Sequence, residues 1–88
     1  MKVLKIGAEW CAACLTMGPR WAEIEQELPW LETEYVDADE NEELLDEYQV
    51  KDIPTFIFLS QDQKELERMS GLVEKDKLVA KVKELKDK

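Results

Sequence analysis

The chain has no histidine, and only two cysteines, three glycines and three prolines in 88 residues. Without histidine there is no Ser-His or Cys-His catalytic pair and no imidazole-ligated metal. Acid–base or ligand chemistry must come from carboxylates, lysines, tyrosines or the two thiols. Positive charge is also scarce: 12 basic side chains stand against 21 acidic ones, a net charge of −9 at pH 7. No lysine or arginine stripe offsets that charge, so nucleic acid is excluded as a partner. Long apolar runs are missing too. None approaches the ~20 residues that span a bilayer, so no membrane association is expected. Residues 1–8 contain Lys2 and Lys5 but no apolar core of roughly 7–15 residues, so they do not read as a secretory leader. On this reading the chain is cytoplasmic, where thiols are kept reduced.

A length of 88 residues predicts one domain over 1–88 with a thin core, since domains typically run ~100–150 residues. Charges of both signs predict a soluble monomer. No repeat, Gly/Ser linker or phosphate-binding glycine loop is present, so neither a nucleotide nor any other cofactor is expected.

Val3-Leu4-Lys5-Ile6 is short, apolar and β-branched, as strands are. Cys14, Met17, Trp21, Ile24 and Leu28 recur at spacings of three and four, one face of a helix starting near Cys11. Pro19 inside it predicts a bend. Residues 33–36 read as a second strand and residues 40–48 as an acid-led helix. Thr55-Phe56-Ile57-Phe58-Leu59 is almost continuously apolar, which predicts a strand covered on both faces. Residues 60–63 form a turn, and 64–69 return as a more exposed strand. Leu78, Val79, Val82 and Leu85 mark a C-terminal helix. The order β-α-β-α-β-β-α predicts an α/β fold with a mixed four-stranded sheet flanked by helices.

The first helix follows the first strand directly, so Cys11 falls where α/β folds place ligands. Cys11 and Cys14, spaced i, i+3 on a first helical turn, lie on one side and are close enough to bond or to share a metal. Unpaired N–H groups and the positive dipole end stabilise a thiolate there. Cys11, nearer the N-terminus and more exposed, is the candidate nucleophile. Cys14, a turn deeper, is the candidate resolving thiol. Three plainer readings stand beside this one. A closed zinc site wants four ligands, which one chain cannot supply, although two chains could share a metal. A structural disulfide would close too small a loop to constrain much. Two unrelated buried cysteines are the third.

Taken together, several motifs resemble the thioredoxin superfamily. They are Trp10-Cys11-Ala12-Ala13-Cys14 after a strand, Pro19, Asp37-Ala38-Asp39 after the next strand, Ile53-Pro54-Thr55 opening a hydrophobic strand, and Ser70-Gly71 before the last helix. They span essentially the whole chain in the family's order. The resemblance implies a thioredoxin-like minimal core and a protein-disulfide reductase working through Cys11 and Cys14. It implies a cis Pro54 beside the cysteines, preceded by backbone that pairs with a substrate peptide. Trp10, Ala38, Ile53, Pro54, Gly71 and Leu72 would line a shallow apolar patch around Cys11. Protein disulfides would be the substrates. A thioredoxin-reductase-like protein or a low-molecular-weight thiol would be the electron donor.

Three departures stand out. The family's N-terminal strand and helix are missing from this chain, which brings it nearer glutaredoxin in size. Ala12-Ala13 replaces the usual Gly-Pro. Lys5 occupies the place of a buried acid, where it either snorkels outward or sits near Cys14 and favours its thiolate. Glutaredoxin-like use of glutathione, or a non-catalytic redox-sensing module, are the alternative functions at this stage. The remaining acids, including Glu23, Glu25 and Glu27, read as solvation, and Trp21 and Trp30 as packing.

Overall fold

A computed structural model describes residues 1–88. Its elements are β1 (Lys2–Gly7), α1 (Ala12–Glu27), β2 (Glu32–Asp37), α2 (Glu42–Glu47), β3 (Thr55–Leu59), β4 (Glu65–Ser70) and α3 (Lys75–Leu85). The strands form one four-stranded sheet in the order β2-β1-β3-β4. β1 and β2 run parallel, whereas β3 runs antiparallel to both β1 and β4. No helix is long and apolar enough to cross a membrane.

The alternation of side chains along each strand sorts the core into two clusters. Val3 of β1 with Phe56 and Phe58 of β3 meets Met17, Trp21 and Ile24 of α1 and Leu78 and Val82 of α3. Leu4, Ile6, Ile57 and Leu59 face the other way and meet Leu44, Leu45 and Tyr48 around α2. All five β3 residues are buried, as expected of an apolar strand covered on both sides. Trp21 packs on Phe56 with ring centroids 5.4 Å apart. Trp30 is partly exposed, with the Lys86 ammonium 4.8 Å from its ring centroid.

One local expectation is revised. The predicted 40–48 helix begins later. Residues Ala38–Glu40 form a separate 3-10 turn, and α2 starts only at Glu42. Asp37 accepts the Asp39 N–H and so closes that turn instead of extending a helix. α1 is continuous through Gly18-Pro19. The proline ring removes one donor, the one that would have reached the Leu15 carbonyl.

The direction of β3 determines where the site forms. β3 runs antiparallel to β1 and so begins at the end where β1 finishes, with Thr55 opposite Ile6. That brings Ile53 and Pro54 to the cysteines across more than forty residues of sequence.

Candidate active site

Cys11 is the N-cap of α1, with extended backbone and its sulfur accepting the Cys14 N–H at 3.3 Å. A sulfur in this position satisfies one of the helix's free donors, and those donors in turn stabilise negative charge on it. The Cys11 thiol pKa is lowered from its ordinary 9.0. The Cys14 thiol donating to it is the main cause, with the N–H groups of Cys14 and Ala13 adding to it. The Cys14 pKa is pushed up to about 11, first by burial, then by its hydrogen bond to Cys11 and by the Cys11 charge. The pair thus shares one proton unevenly: Cys11 ionises and Cys14 keeps its hydrogen.

The depths of the two residues differ from expectation. Cys11 is only 9% exposed and Cys14 is half-buried. Cys11 lies under the Ile53–Pro54 segment, its sulfur 4.0 Å from the Ile53 carbonyl oxygen. Desolvation still falls mainly on the Cys14 sulfur, because that atom packs against the sheet at Gly7. Exposure counted over a whole residue does not report the surroundings of its sulfur.

The Ile53–Pro54 peptide bond is cis, and Pro54 is buried. Its carbonyl accepts the Gly71 N–H at 2.9 Å, which ties the β4–α3 loop to the site. Gly71 has φ +79°, a left-handed conformation that glycine adopts readily. Trp10 is 70% exposed and Leu72 64% exposed, so both present apolar surface to solvent. The Trp10 indole N–H donates to Asp39 at 2.9 Å, which fixes the ring against the turn after β2. Ala38 instead belongs to the core cluster on the α2 side.

Lys5 shares the α1 face of the sheet with Val3. Its Nζ lies 2.7 Å from Glu25 on α1, and Thr33 donates to the same carboxylate oxygen at 2.9 Å. Glu25, which reads as surface solvation in the sequence, thus joins helix to sheet. Lys5 also lines a cavity of about 60 Å³ behind Cys14, together with Gly7, Trp21, Tyr35 and Phe56. No group of three or more His, Cys, Asp or Glu side chains is arranged to hold a metal ion.

The thioredoxin family model matches residues 1–84. The chain belongs to the thioredoxin family. The family's members are protein-disulfide oxidoreductases. A thioredoxin of Chlamydia trachomatis is 40% identical over 72 residues, covering 82% of this chain and 70% of that protein. Thioredoxin H5 of Oryza sativa subsp. japonica is 38% identical over 69 residues, 78% of this chain. The match spans only half of the rice protein. The X-ray structure of Fasciola hepatica thioredoxin superimposes with a TM-score of 0.87 at 34% identity, covering 96% of this chain and 79% of that one.

Within this thioredoxin-type site, sequence reasoning missed three residues. Gly7 ends a strand and reads as a boundary, yet it faces Cys14. Asp39 reads as part of an acidic turn, yet it holds Trp10. Glu25 is one of several alternating acids, and only the placement of Lys5 singles it out.

Proposed function

We propose that this chain reduces protein disulfides, with Cys11 as the attacking thiol and Cys14 as the resolving one. The observation that carries the reading is the uneven pair: the thiol lowered in pKa is the helix cap, and the raised one lies behind it. In the first step the Cys11 thiolate attacks one sulfur of a substrate disulfide. A Cys11–substrate disulfide forms, the substrate bond breaks, and one substrate sulfur leaves and takes a proton.

That step changes Cys14. The hydrogen bond to Cys11 and the Cys11 charge both disappear once Cys11 is bonded to substrate. Two of the causes that raise the Cys14 pKa go with them, and burial remains. The N–H groups of Ala8 and of Cys14 itself continue to favour its thiolate. Cys14 therefore ionises more readily when there is a mixed disulfide to attack. Its thiolate attacks the Cys11 sulfur and the second substrate thiol is released. Two electrons have moved to the substrate, leaving a Cys11–Cys14 disulfide. A partner reductase or a low-molecular-weight thiol returns the pair to the dithiol.

The substrate backbone pairs beside Ile53 and Pro54, with Trp10, Gly71 and Leu72 around it and Ala38 at its margin. The site works as a monomer in the cytoplasm. Thiols are kept reduced in that compartment, as an attacking dithiol requires. Lys5 favours the Cys14 thiolate from within the shared cavity.

Insulin reduction with dithiothreitol as electron donor tests the assignment. The parent protein precipitates the insulin B chain, Cys11→Ser does not, and Cys14→Ser accumulates a mixed disulfide. Unchanged reduction by Cys11→Ser sinks the reading.

A further inference from the structure

Acidic charge is segregated along this chain. Residues 21–50 hold twelve acidic side chains and no lysine or arginine, so the remainder is slightly basic. The structure divides those twelve. Glu32 and Glu34 pair with Lys2, Glu25 with Lys5, and Glu23 and Glu27 with Lys75. The seven with no ion pair are consecutive acids: Asp37, Asp39, Glu40, Glu42, Glu43, Asp46 and Glu47. All but Asp37 are exposed.

These unpaired acids begin at the end of β2 that lies beside Cys11. Glu9, Trp10, Asp37, Asp39 and Glu40 line one shallow depression. Asp39 and Glu40 also line the next, with Glu42, Glu43 and Glu47. Trp10, bonded to Asp39, joins this surface to the neighbour of the nucleophile. The nearest cations do little to balance it. Arg68 is held by Glu65 and the Tyr48 carbonyl, and Lys51 lies beyond α2 with no ion pair.

We propose that the surface running from Glu9 across residues 37–47 is a docking face for partner proteins that carry lysine or arginine beside the disulfide to be reduced. The proposal rests on Cys11 being the attacking thiol. Two independent features sit side by side here. The exposed Trp10 and Leu72 offer apolar contact around Cys11, and the acidic flank offers charge on one side only. α2 is about 9 Å long, within one Debye length of about 10 Å at 0.1 M salt. Its charges and those of the preceding turn therefore act together on an approaching protein. Charge of one sign beside a contact patch speeds encounter with the opposite sign and disfavours the same sign. Contact with a basic face also relieves the repulsion among the acids themselves.

Two synthetic disulfide-bridged peptides, identical except for three lysines or three glutamates on one flank, test this. 2-Hydroxyethyl disulfide, small and neutral, reports the dithiol alone. At ~10 mM salt the kcat/KM for the lysine peptide should exceed that for the glutamate peptide about tenfold or more. That ratio should fall toward one at ~1 M salt. Combining Glu40→Gln, Glu43→Gln and Glu47→Gln should lower the ratio several-fold, and a ratio cancels any general loss of activity. Equal rates at low salt, or a ratio that the triple variant leaves unchanged, overturns the proposal. Reduction of 2-hydroxyethyl disulfide by Cys11→Ser at the parent rate instead overturns the assignment of Cys11, and the docking proposal falls with it.

Discussion

Gly7 touches Cys14 so closely that no side chain fits between them. A Cβ at Gly7 would stand 2.9 Å from the Cys14 sulfur and 3.3 Å from its Cβ. Gly7 sits in β1, whose backbone is paired to β2 at that position, so the strand cannot easily retreat. The Cys14 side chain or the first turn of α1 must move instead.

Gly7→Ala should therefore leave a folded protein weakened by about 1–3 kcal/mol, the usual cost of overpacking. The chemical effect should fall on the second step. Attack by Cys11 keeps its rate, while release of substrate from the mixed disulfide slows several-fold. Stopped-flow measurement of both phases checks this, with a urea midpoint for stability. An unchanged release rate would show that the contact does not set the Cys14 position.

The shared proton predicts a pH profile. Cys11 should react with iodoacetamide at half its maximal rate below pH 9.0, whereas Cys14 should require a pH near 11. Stability should follow with opposite signs. Cys11 is lowered, so its contribution to stability is present above its unfolded value and is lost as pH falls through the folded one. Cys14 is raised, so the folded form holds its proton more tightly. Stability then falls as pH rises from the ordinary 9.0 toward about 11. Cys11→Ala should make Cys14 alkylate at lower pH than in the parent, because the hydrogen bond and the charge that raise it are both gone. Peptide mapping of the alkylated thiols separates the two.

Lys5→Met tests the charge behind Cys14. Lys5 is 19% exposed and holds Glu25 at 2.7 Å. Its removal leaves the Glu25 carboxylate without a counter-ion near the Cys14 cavity. An added negative field disfavours the Cys14 thiolate and pushes its pKa up. Mixed-disulfide release should slow accordingly. Combining Lys5→Met with Glu25→Gln removes both charges and should bring the release rate back toward that of the parent. Identical release rates in all three proteins would assign Lys5 a purely structural role.

What could be read from the sequence followed its periodicity. β3 was legible because four consecutive apolar residues after Thr55, β-branched and aromatic among them, suit a strand covered on both faces. The cysteines were legible because a three-residue spacing at a strand–helix junction has few uses. The start of α2 was not, since acids crowd residues 37–47 and a side-chain turn at Asp37 competes with helix there. Glu25 and Gly7 were hidden for a different reason. Their partners, Lys5 twenty residues away and Cys14 across a loop, are fixed by tertiary placement that no local pattern carries. The relative depth of the two cysteines also escaped, because the cover over Cys11 comes from Ile53 and Pro54 on a distant segment.

Gly71 separates backbone strain from crowding. It has φ +79°, and a Cβ there would meet nothing within 4 Å. Any cost of a side chain is therefore conformational. Gly71→Ala should destabilise the protein by about 1–2 kcal/mol, the price of a left-handed residue with a Cβ. For a domain of this size that is roughly 4–16 °C in Tm. Gly71→Asn should cost less, because asparagine visits this region more readily. The Gly71 N–H also holds the Pro54 carbonyl, so relaxation of the loop would reach the site. KM for insulin should rise in Gly71→Ala and stay closer to the parent value in Gly71→Asn. Thermal unfolding of both variants beside that assay makes the check. Equal losses in the two would mean that the left-handed backbone is not what selects glycine here.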